Sequence, residues 1–146
     1  MYHYWNLFLE KLQSPNSFHR NIGLRLIAEN VRWDEEGKFD DVCDLYLSFC
    51  DDEKPVTVRQ CIQSLCKVVP YNTSCHTKII HKLLSIDIAQ RKESQQKLVL
   101  LDIISVLTLI NKIQANNDIT QYIENALTGG LLDKKSKQLV ETQLKS

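Results

Sequence analysis

The stretch Pro55-Val56-Thr57-Val58-Arg59-Gln60-Cys61-Ile62-Gln63-Ser64-Leu65-Cys66-Lys67-Val68-Val69 decides the fold. Its apolar residues Val58, Cys61, Ile62, Leu65, Cys66 and Val69 step by three, one, three, one and three, which traces one stripe on an amphipathic helix. Pro55 stands where a first helical turn tolerates proline, and Pro70-Tyr71-Asn72 closes the segment. Outward from it, Phe39, Val42, Cys43, Tyr46, Leu47, Phe49 and Cys50 form a second stripe, and Cys75, Ile79, Ile80 and Leu83 a third. Segment 17–31 carries two apolar sides, Phe18/Ile22/Leu26 and Leu24/Ile27/Ala28/Val31, which predicts an inner helix between two neighbours. Segment 98–113 is apolar almost all round and should be the most buried helix, covered by 119–127 and 134–144. The breaks between these segments are short, as packed helices require.

The chain's 146 residues fit one domain. Hydrophobic residues make up 43% and charged residues 25%, ordinary globular usage, and 4 Gly with 3 Pro favour helices over a many-stranded sheet. Eighteen basic residues balance eighteen acidic ones, which argues against a dedicated nucleic-acid binder. Acidic groups gather at Asp34-Glu35-Glu36, Asp40-Asp41, Asp44 and Asp51-Asp52-Glu53, where they read as solvated helix starts. The cysteines Cys43, Cys50, Cys61, Cys66 and Cys75 are odd in number with no secretory leader ahead of them, so reduced thiols and a cytoplasmic location are expected. No apolar run approaches the ~20 residues of a membrane span.

The spacing repeats. Arg20 and Arg59 stand 39 residues apart, and Ile22 with Cys61 and Leu26 with Leu65 share that offset. A period near 40 suits arrays of two-helix HEAT units, here about 4–31, 38–69 and 74–113. Glu53-Lys54-Pro55-Val56-Thr57-Val58-Arg59 resembles the HEAT turn, and Ser14-Pro15-Asn16-Ser17-Phe18-His19-Arg20 has the same shape with Ser in the acidic place. The expected fold is therefore all-α, an α-α superhelix (a right-handed HEAT/armadillo-like solenoid) of about three helix pairs over residues 1–113. Helices in the tail, 114–146, would pack on the same domain.

A closer resemblance covers residues 2–113. Tyr4-Trp5, Asn21-Ile22-Gly23-Leu24, Arg32-Trp33-Asp34-Glu35 and the turn from Asp52 to Cys61 resemble small bacterial HEAT-like proteins often labelled SufBD. Lys92-Glu93-Ser94 and the run from Leu98 to Ile103 are similar to that family's last helix. The label suggests a role in iron–sulfur assembly, although these residues do not resemble the β-helical scaffolds of that pathway. Family members usually carry one more helix pair ahead of the residues matching Tyr2–Trp5. Its absence would leave Tyr2, Tyr4, Trp5 and Phe8 as an uncapped aromatic end, expected to self-associate or to dock a partner.

Candidate chemistry is sparse. The cysteines lack a C-x-x-C pair and metal-site spacing, and they lie on apolar stripes, so they read as small core residues. Cys75-His76 with His81 is the one tight thiol–imidazole group, but on one helix the two imidazoles point roughly 140° apart. Gly129-Gly130 lacks the Lys-Ser/Thr of a phosphate loop. Trp33-Asp34 beside Arg25 and Arg32 is a faint likeness of helical-repeat DNA glycosylases. Asp102, inside an apolar helix, needs a partner that Arg59 or Arg20 could supply. The expectation is a non-catalytic scaffold with no cofactor and no metal, binding another protein or peptide. Arg25, Arg32, Trp33 and Arg59 would serve a concave face, and Tyr4 and Trp5 an end-on contact that could also join two copies. A HEAT-like nucleic-acid binder related to DNA glycosylases, and an accessory factor in iron–sulfur assembly, are the alternatives.

Overall fold

The computed structural model describes residues 2–146; among them are eight α-helices and no strand. Their starts follow from local chemistry. Helix α1 spans Trp5–Leu12. Helix α2, Ser17–Asn30, begins under Asn16, whose side chain accepts the Phe18 N–H at 2.9 Å. After a 3₁₀ turn at Val31–Trp33, the chain reverses at Gly37, which among the described residues is the one with positive φ (+69°). Asp34 then accepts the backbone N–H groups of Lys38 and Phe39, at 2.9 and 2.8 Å, and so opens α3, Phe39–Ser48. Helix α4, Pro55–Val68, carries proline at its first position. Helices α5, His76–Ser85, and α6, Glu93–Ile113, follow. Asn116 caps α7, Asn117–Thr128, and Asp133 caps α8, Lys134–Lys145.

The packing follows the apolar stripes. Helix α2 lies against α1 and α4, α4 against α6, and α6 against α7 and α8, while α3 meets α5. One connected core runs from Trp5 to Val140 and takes in Leu24, Phe39, Tyr46, Ile62, Leu65, Leu83, Ile103 and Leu107. The long helix α6 holds nine buried residues, and α7 and α8 cover it through Ile119, Ile123 and Val140. Among the described residues no helix is long and apolar enough to cross a membrane.

Helix α2 departs from expectation. Leu24, Ile27, Ala28 and Val31 are buried, but Ile22 and Leu26 are half-covered and Phe18 is 66% exposed. The reason lies at Gly23. A Cβ there would come within 3.0 Å of the Phe8 carbonyl oxygen and of Lys11 Cβ. Helix α1 thus presses onto the Gly23 side of α2, and the Phe18 side is left open.

Polar ties cross the same contacts. Arg20 holds Asp52 through two 3.0 Å bonds and donates to the carbonyls of Ser14 and Pro15. Arg59 holds Asp102 at 2.8 and 3.3 Å, and Gln63 donates to the same carboxylate at 3.1 Å. The buried acid of α6 thereby receives the partner its apolar setting demands. Arg91 donates to the Cys50 carbonyl at 3.1 Å, extending these ties towards α6.

A candidate interaction surface at Arg32, Trp33 and Tyr71

The turns that follow α2 and α4 meet on the surface. Three residues after α2 stands Trp33, and three after α4 stands Tyr71; each is 55% exposed. Arg32 links them. Its guanidinium carbon lies 4.8 Å from the Trp33 ring centre and 5.6 Å from that of Tyr71. Cation–π attraction fixes the planar guanidinium across both rings, so two aromatic surfaces and a cation form one pre-arranged patch.

Beside it, Trp33, Tyr2, Glu35 and Glu36 wall a surface cleft of about 530 Å³. Tyr2 is well anchored. Its hydroxyl donates to Asp34 and accepts the Glu36 N–H at 2.8 Å. Partial burial first, and the Asp34 carboxylate second, raise the pKa of this phenol, so it stays protonated. The Lys38 ammonium sits 4.1 Å from the Tyr2 ring centre and 3.6 Å from Glu36. Asp34 is consumed by Tyr2 and by the start of α3, whereas Glu35 makes no side-chain bond among the described residues.

The residues singled out from sequence fall in different places. Arg32 and Trp33 come together, with Arg25 exposed on α2. Arg59 is turned to Asp102 and is not a free cation. Trp5 is 3% exposed and packs edge-on to Tyr2 at 6.1 Å, so it belongs to the core and presents little surface to a partner. Of the aromatic end, Tyr4 and its helical neighbour Leu7 remain open, at 55% and 51%. Tyr71 was missed. The signal for it was arithmetic: it stands 38 residues after Trp33, the offset between the starts of α2 and α4.

Most of the other chemistry-bearing groups are enclosed or neutralised. Cys43, Cys50, Cys61 and Cys75 are buried and Cys66 is partly so. Burial raises the thiol pKa of Cys43, Cys61 and Cys75, and pushes that of Cys66 up to about 11, away from the thiolate a nucleophile needs. His76 is buried against the Val69 carbonyl at 2.9 Å, while His81 is exposed. Among the described residues no three His, Cys, Asp or Glu side chains are placed to share a metal ion. A groove of about 560 Å³ runs between α3 and α5, but its charges cancel in place, Lys78 pairing with Asp44 and Lys82 with Asp51.

No family model, curated protein or solved structure matches the chain.

Proposed function

We propose that the chain is a short HEAT-like superhelical stack, of the kind found in the small bacterial proteins labelled SufBD, and acts as a non-catalytic protein-interaction module. The observation that carries this reading is the Arg32–Trp33–Tyr71 patch. Tryptophan, tyrosine and arginine are the residues over-represented among interface anchors. Rings more than half open to water have no role in the core, and they lose less conformational entropy on binding than flexible chains do. The row α2, α4, α6, each packed on the next, supports the stacked architecture, as does the 38-residue spacing of the aromatics that follow α2 and α4.

The test is differential capture. The immobilised protein should retain a discrete partner from a native extract, and a Trp33→Ala/Tyr71→Ala variant of unchanged helicity should lose it. Equal retention by both proteins, or none by either, removes this patch as an interaction site.

A further inference from the structure

The cleft next to that patch has a chemistry narrower than protein binding in general. Two of its four walls are aromatic rings, Tyr2 and Trp33, and two are carboxylates, Glu35 and Glu36. Rings with a negative face and carboxylates at the rim attract the same thing, a positive charge carried on an apolar stem. The local structure already displays the pairing twice. Lys38 lies over Tyr2 and Arg32 over Trp33, so both rings hold cations from their own chain. More than half of Trp33 remains open after Arg32 has taken its place.

The charge inventory sets the sign of the guest. Asp34 is bonded to Tyr2 and two backbone N–H groups. Lys38 offsets Glu36 at 3.6 Å. Glu35 is left to act on whatever enters. An acidic guest would meet the unpaired Glu35 carboxylate, and a purely apolar one would leave it desolvated without a partner. The volume, about 530 Å³, falls within the range of clefts that enclose a whole side chain with its flanking atoms.

We infer that the Tyr2–Trp33–Glu35–Glu36 cleft receives a lysine or arginine side chain from a basic peptide segment of the partner. This rests on the interaction reading above and names the partner's chemistry. The guest's methylene stem lies along Trp33, its cationic head meets Glu35, and Tyr2 is held in place by Asp34 to complete the wall.

The chain carries its own reporters, because Trp33 is exposed and Trp5 is buried. Acetylated tetralysine amide, titrated into the nitrogen-15-labelled protein, should move the Trp33 indole N–H signal saturably and leave that of Trp5 in place. Tetraglutamate should move neither. Glu35→Gln/Glu36→Gln, both at exposed positions, should weaken tetralysine binding at least fivefold, and Trp33→Ala should weaken it comparably by calorimetry. The inference is overturned by no saturable shift, by equal affinity in the double glutamine variant, or by binding that survives Trp33→Ala. If tetralysine fails while the captured partner is still lost with Trp33→Ala/Tyr71→Ala, only the cationic guest is wrong. If capture is also indifferent to those rings, the interaction reading falls with it.

Discussion

Arg20 and Arg32 lie twelve residues apart and do opposite things. Arg20 is 7% exposed and makes four hydrogen bonds, two to Asp52 and two to the carbonyls that precede its own helix. Arg32 makes no hydrogen bond or ion pair among the described residues and lies over two exposed rings. The first replaces most of its lost water with four protein acceptors, so its removal strands a carboxylate. The second keeps its water and gains only ring contacts. An internal arginine tie therefore serves stability, and an arginine on an exposed aromatic pair is free to serve binding. Residue type does not separate the two cases; the number of acceptors in reach does.

The largest effect expected is Arg20→Ala. With Asp52 about 10% exposed, losing its partner should cost about 3 kcal/mol in urea unfolding and lower Tm by roughly 10 °C. A loss below ~1 kcal/mol would mean that water reaches Asp52 and that the inside–outside contrast is false. Arg59→Ala should cost less, about 2 kcal/mol, because its side chain is 32% exposed and Gln63 still donates to Asp102. Replacing the pair together, Arg59→Met with Asp102→Leu, should recover most of that loss. If the double variant is as weak as the single one, the pair contributes to packing and not only to charge balance.

A third case sits between the two. Asp133 is exposed, yet it accepts the Ser136 N–H at 2.7 Å and pairs with Lys97 at 3.2 Å. The bonds to Ser136, then to Lys97, lower its pKa to about 2. A depressed carboxylate stabilises the folded state above its unfolded value and loses that contribution as pH falls. The docking of α8 should therefore be strongest above pH ~4 and weaken from there towards pH 2, seen as faster amide exchange in 134–145. Asp133→Asn should remove most of that pH dependence in the window. An unchanged profile would assign the acid sensitivity to other carboxylates.

Much of this division was legible beforehand. Helical spacing gave the α3, α4 and α5 faces, because burial selects apolar residues three and four apart. Asp102 declared its need for a partner, since a lone acid in an apolar helix has few alternatives. Trp5 and Arg59 could not be placed by type. An aromatic at a chain end and an arginine after a turn read the same whether covered or open, and only tertiary packing decides. The pairing of Tyr71 with Arg32 depends on two turns far apart in the sequence arriving at one spot. The 38-residue offset hints at that, but single residues do not state it. Phe18 is the converse: its spacing belongs to a buried stripe, and the approach of α1 over Gly23 left it outside.

The smallest expected effect is the most informative. Trp33→Ala removes a large side chain, a change that in a core costs about 3–5 kcal/mol. Here the ring is 55% exposed and its one close cation is solvated, so unfolding should shift by less than ~1 kcal/mol. Tyr71→Ala should behave alike. Exposed rings that contribute so little to the fold while Arg32 holds them in fixed geometry are hard to account for by stability. A loss above ~2 kcal/mol would instead make Arg32–Trp33–Tyr71 a staple between the turns after α2 and α4. The surface arginine would then belong with Arg20, and the contrast between them would disappear.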